Sequence, residues 1–220
     1  MSILIVLLMF LLIMTISYLH RPQEQAGTRP ERRPSQQTPR VGWELGFEIP
    51  QDYCFHPGHT WAAKESPENA RIGVDSFAAN LMGRIDHIDV VGPNRWVRQG
   101  QKLMTITGDG VAIDLLSPVE GVVSAINSDV LQDPGLVTHD PYKNGWIAMV
   151  KSPDLAVNQK NLVQGSMVAP WMQNNLNRLK ATLSQLEPTL AQDGGFPING
   201  LLPQLKSDLR RKVVKEFFLT

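Results

Sequence analysis

The sequence predicts a mainly β fold, a flattened β-barrel or sandwich, with an α-helical C-terminal extension and a transmembrane helix before it. Three observations predict it. Between residues 43 and 155, short runs rich in Val, Ile and Leu are separated by Gly, Pro, Asn and Asp, the punctuation of closely spaced strands with little helix. After Pro170, apolar residues recur at steps of four and three, the spacing of a helical stripe. Residues 3–19 are apolar except Thr15 and Ser17, and none is charged. The expected organisation is an anchor at 2–19, a linker at 20–42, a β domain at 43–155 and a helical extension at 156–220.

As a helix, residues 2–19 would span ~27 Å, close to the hydrocarbon thickness of a bilayer. A cleaved signal peptide is the competing reading. It wants a basic leader and a small-x-small cleavage site, whereas only Met1 and Ser2 precede the run and Tyr18, Leu19, His20, Arg21 and Pro22 follow it. The anchor is preferred. Arg21, Arg29, Arg32, Arg33 and Arg40 all lie after the span, so the positive-inside rule predicts a single-pass protein of the cytoplasmic membrane with its globular part in the cytoplasm. Membrane lipid is then one expected partner. Residues 20–42 hold Pro22, Pro30, Pro34 and Pro39 and no large apolar residue before Val41. Such a stretch reads as a semi-extended tether.

Within the β domain the candidate strands are 60–64, 70–74, 85–91, 102–107, 111–116, 121–126 and 146–150. Asp109-Gly110 falls between two of them and predicts a tight hairpin, because turns between twisted strands need positive φ. Residues 76–81 predict a short helix capped by Asp75 or Ser76.

Several segments of this domain resemble the H protein of the glycine cleavage system. They are His59-x-Trp61, Gly73-Val74-Asp75-Ser76-Phe77-Ala78, Gly83-x-Ile85 and Ser117-Pro118-Val119-Glu120-Gly121-Val122-Val123. Asn127, Leu131, Pro134, Leu136-Val137, Asp140-Pro141-Tyr142 and Gly145-Trp146-Ile147 follow in the same order. The resemblance spans roughly residues 53–155 and implies a lipoyl-domain-like fold with a lipoyl arm on a lysine at a hairpin tip. In that family the lysine follows a Glu-Ser-x pattern, eight residues before the Pro of the Ser-Pro motif. Here that count lands on Gly110, within Thr107-Gly108-Asp109-Gly110-Val111, and no lysine occurs between Lys102 and Lys143. Lipoate is held through an amide on an ε-amine, which glycine cannot supply. The expectation is a lipoyl-carrier relative with no lipoyl group and no other cofactor. Its Gly108-Asp109-Gly110 tip is either a candidate binding loop or a plain turn.

Cys54, His56 and His59 form a weak metal-ligand candidate, since Cys and His are good zinc or copper ligands. His87 or His139 could complete a site only if the fold brought one near. Pro57-Gly58 interrupts the segment, and a structural role is preferred. The single cysteine excludes an intrachain disulfide framework. No nucleophile–base set, phosphate loop or paired carboxylates stand out, so no enzyme is expected.

In the extension, Met172, Leu176, Leu179, Leu183, Leu186 and Leu190 form one stripe, ending near Glu187 where Pro188 stops the helix. Leu205, Leu209, Val213 and Phe217 form a second. Both predict core packing. The alternative is a coiled-coil contact, with Met172, Leu176, Leu179 and Leu183 as a candidate partner surface. Lys plus Arg and Asp plus Glu are each 21, for zero net charge, which excludes a chain-wide polycation gripping nucleic acid. The charge is segregated: the linker and residues 201–220 are each +3, and residues 43–200 are −6. The basic last helix predicts a solvated face, or a leaflet contact with Phe217, Phe218 and Leu219 at the interface. Two function classes follow. One is a non-catalytic docking or scaffold module for an enzyme or membrane complex. The other is a carrier or redox protein using a group near Cys54, His56 and His59.

Overall fold

A computed structural model describes residues 9, 11, 14, 15, 41–44, 47–50, 52–186 and 199–219. The chain divides into two compact units, Met1–Thr38 and Pro39–Thr220. In the first, Met9, Leu11, Met14 and Thr15 are helical and exposed. The remaining residues of the expected span, and those of the linker before Val41, lie outside the described residues. Among the described residues no helix is long and apolar enough to cross a membrane. That finding corrects the expected single-pass membrane location and, with it, the expected lipid partner.

The second unit opens with a two-stranded hairpin, β1 (Val41–Glu44) and β2 (Phe47–Pro50). β1 thus begins inside the stretch expected as linker. A six-stranded antiparallel sheet combines β3 (Tyr53–Phe55), β4 (Thr60–Lys64), β5 (Asn69–Val74), β7 (Trp96–Val97), β10 (Gly121–Ile126) and β11 (Ala148–Lys151) in the order β3-β4-β5-β11-β10-β7. A three-stranded sheet holds β6 (His87–Val90), β8 (Lys102–Gly108) and β9 (Val111–Leu116) in the order β6-β8-β9. No ladder among the described residues joins the two sheets, so the expected barrel is not closed. The domain is mainly β with C-terminal helices.

Period-two patterning places the core. Along β9, Val111, Ile113 and Leu115 are buried, while Ala112 points out. Ile72, Val74, Val123 and Val150 supply the same face of the six-stranded sheet, and residues from both sheets belong to one buried cluster. The helix expected at 76–81 is α1 (Ser76–Met82), and Asp75 caps it by accepting from the Ala78 backbone N–H.

Two short helices, α2 (Ser128–Gln132) and α3 (Leu136–His139), follow β10. After β11 come α4 (Leu155–Lys160), a 3₁₀ turn (Gly165–Met167) and α5 (Val168–Leu186), then α6 (Leu201–Gln204) and α7 (Ser207–Phe218). Residues 187–198, with Leu190, Pro188 and the expected turn at 192–195, lie outside the described residues.

The stripe offered as a partner surface is covered by the chain itself. Met172, Leu176, Leu179 and Leu183 are all buried, which corrects the coiled-coil alternative. Leu205, Leu209, Val213, Phe217 and Phe218 are buried too. Phe217 and Phe218 are therefore not at a lipid interface, and of that trio only Leu219 is exposed. Arg178 on α5 donates to Glu216 of α7 at 3.0 Å and lies over the Phe217 ring, 5.3 Å from its centroid.

Candidate functional site

β8 and β9 pair from Lys102↔Leu116 to Gly108↔Val111, leaving Asp109 and Gly110 as the two-residue loop. Their φ angles are 47° and 74°. Both are positive, as a type I′ hairpin requires, and Asp-Gly is well suited to it. The tip is fastened on one side. The Asp109 backbone N–H donates to Asp86 Oδ2 at 3.1 Å, and Asp86 Oδ1 takes Arg84 Nε at 2.7 Å. The Asp86 N–H donates to the Thr107 carbonyl at 2.8 Å. Gly108 permits this approach, since a Cβ there would collide with the Arg84 carbonyl. Gly110 faces the other way, and a Cβ on it would meet nothing within 4 Å. Position 110 therefore opens to solvent from a braced turn.

A tip built this way displays a side chain well, but residues 109 and 110 present no amine. Lys102 stands at the far end of β8, where its Nζ pairs with Asp114 Oδ1 at 2.6 Å. Thr105 Oγ1 donates to the same carboxylate oxygen at 2.7 Å. The hydrogen bond from Lys102 holds the Asp114 carboxyl below its usual range. The tip residues do not fit covalent attachment of a lipoyl group.

Cys54, His56 and His59 are each otherwise engaged. Cys54 Sγ donates to Gln164 Oε1 at 3.5 Å, and burial pushes its thiol pKa up. His56 Nδ1 accepts from the Gly58 N–H at 3.0 Å. Burial, with repulsion from His59 second, lowers the His56 pKa. His59 has a φ of 64° after the Pro57-Gly58 turn and is wholly buried, with Nδ1 2.7 Å from Asp75 Oδ2. Its ring stacks on Phe77 at 4.4 Å and on Trp171 at 5.1 Å, with Phe217 and Phe218 alongside. Its Nε2 has no hydrogen-bond partner among the described residues. No group of three metal-ligating side chains forms among the described residues. In this arrangement the three side chains serve packing and hydrogen bonding.

Sequence reasoning located the tip but missed Arg84 and Asp86, which brace it, and the aromatic enclosure of His59. Nothing local signals either. Asp86 lies 23 residues from Asp109 in the chain, and the enclosure draws on α1, α5 and α7.

The glycine cleavage H-protein family model matches residues 53–175. A glycine cleavage system H protein of Bifidobacterium longum is 32% identical over 110 residues, covering 50% of this chain and 80% of the relative. One from Magnetococcus marinus is 30% identical over 127 residues, covering 58% and 89%. A crystal structure of a glycine cleavage system H protein from Mycobacterium marinum aligns with a TM-score of 0.45 at 24% identity, covering 48% of this chain and 87% of that one. A model match over more than half the residues and relatives covered over most of their length agree on one assignment: the chain belongs to the glycine cleavage H-protein family.

Proposed function

We propose that this chain is an H-protein-like module that carries no lipoyl group and works as a non-catalytic docking or scaffold protein for an enzyme partner. The observation that carries the reading is the β8–β9 tip. Counting eight residues back from Pro118 of the Ser-Pro motif places the family's lysine at Gly110, at a braced hairpin end with open space around it. A tip that keeps this geometry without an amine fits retention of the protein–protein role after loss of the arm. The domain assignment belongs to the same proposal: residues 43–155 form the β domain and residues 156–220 the helical extension that covers it, the family match itself running on to residue 175.

Incubation with lipoate ligase, lipoate and ATP tests the reading by intact mass. The native chain is expected to gain nothing. The Thr107→Glu, Gly110→Lys double variant restores an amine at the tip and is expected to gain a lipoyl adduct. A side chain at a positive-φ turn position costs about 1 kcal/mol, so the variant should still fold. An adduct on the native chain would overturn the proposal.

A further inference from the structure

A second feature lies at the same end of the molecule. The loop after α1, the α3 segment and the turn before α6 border an open cleft of about 290 Å³. Its lining includes Gly83, Arg84, Gly135, Thr138, His139 and Asn199. The walls are tied together. Thr138 Oγ1 donates to the Gly83 carbonyl at 3.1 Å, and the Gly200 N–H donates to the Asn80 carbonyl at 2.8 Å. Gly83 has a φ of 71°, and a Cβ on it would come within 2.5 Å of Gly200 Cα. Glycine at position 83 lets the turn before α6 close against the end of α1, and Gly200 takes the positive φ of that turn.

The chemistry of the lining is one-sided. Arg84 brings a permanent positive charge, His139 a group that can carry one, and Asn199 an amide donor. Among the described residues no carboxylate lines the cavity. The acids nearby are each engaged: Asp86 holds Arg84 Nε and Asp133 Oδ1 accepts from the Gly135 N–H at the rim, while Asp140 Oδ2 accepts from Asn144. Asp86 Oδ1 meets the guanidinium at Nε, 2.7 Å away, and the Arg84 side chain is 75% exposed. This donor-lined pocket sits in a region of the chain, residues 43–200, whose net charge is −6.

We infer that this pocket binds a small organic anion, a carboxylate or a phosphate monoester, held by Arg84 with His139 and Asn199 completing the donor set. Guanidinium groups bind both anion types through charge-assisted hydrogen bonds. A volume at the lower end of ordinary ligand sites selects a small ligand over an extended one. The inference stands apart from the docking role, since the pocket and the tip share only the Asp86–Arg84 pair.

The test is an NMR titration of the full chain with inorganic phosphate and, separately, with succinate. Saturable shifts are expected at the backbone amides of Gly83, Arg84, Thr138 and His139. Saturation by one probe alone identifies which anion class the site takes. Arg84→Gln should weaken binding roughly tenfold, the effect of removing one charged hydrogen bond. His139→Gln, on the opposite wall, is the second variant, and Arg98→Gln on the exposed surface is the control. Weakening in either wall variant with the control unchanged supports the site. Three outcomes overturn it: no saturation with either anion, unaltered affinity in both wall variants, or equal weakening in the control.

Discussion

Asp75 serves two elements with one carboxylate. Oδ1 accepts the Ala78 N–H and starts α1, while Oδ2 lies 2.7 Å from the His59 ring nitrogen. Both residues are wholly buried. Asp75→Ala would remove a helix cap, about 1 kcal/mol, and leave a buried ring nitrogen without a partner, about 1–3 kcal/mol. The expected loss is about 2–4 kcal/mol, read by denaturant unfolding. Asp75→Asn keeps an oxygen for the cap and an amide near the ring, so it should cost less. Equal losses in the two variants would mean that the ionised carboxylate itself, and not its shape or a single capping oxygen, holds this junction. The cap was legible in the sequence, because Asp before an apolar helical run is a local signal. Its second role was not, because His59 lies 16 residues away and nothing in either segment's pattern announces the pairing.

At the scale of elements, α5 is the piece whose failure is easiest to read. Met172, Leu176, Leu179 and Leu183 bury one face, and Trp171 on the same helix stacks on His59. Leu183 is fully buried, so Leu183→Ala should cost about 2–5 kcal/mol through lost burial and an incompletely collapsed cavity. Lys180→Ala, on the exposed face, should stay within about 0.5 kcal/mol. Chemical denaturation of both variants checks the pair, and similar values would contradict the packing described here. The helical stripes were legible over 172–183 and 209–217 because a 3.6-residue period marks them, whereas the single stretch expected from Pro203 to Phe218 is broken at Leu205, which is extended between α6 and α7. Strands 111–116 and 121–126 were legible to the residue, being bounded by glycine, proline or a tight turn. β7 was not, since two residues carry no periodicity. α2 and α3 were missed for the same reason, at five and four residues. β1 was hidden at the edge of a proline-rich stretch, because a four-residue strand gains its order from pairing with β2.

For the whole molecule the open issue is whether residues 156–220 are an appendage or a structural half. Phe55, His59 and Phe77 are each wholly buried and lie on the β domain, yet Trp171, Phe217 and Phe218 supply much of their cover. The Phe55 N–H and carbonyl also pair with Val163, each at 2.8 Å. A chain lacking residues 156–220 would thus expose an aromatic cluster around a buried imidazole and open the edge of β3. Domain stability is a small difference between large terms, about 5–15 kcal/mol in all. Uncovering several large aromatic side chains, at about 1.5–3 kcal/mol each, is enough to consume it. The shortened chain should lose its cooperative thermal transition and bind a hydrophobic dye. Ending the chain after residue 175 instead keeps Trp171 and Met172 but removes α7 with Phe217 and Phe218, and it should give an intermediate melting temperature. Residue 175 is also where the match to the family model stops, so this pair of truncations separates what the matched residues need from what the residues after them contribute. If the shorter chain melts cooperatively at the full-length temperature, the extension is dispensable to the fold, and the burial of His59 beneath it must be explained by something other than stability.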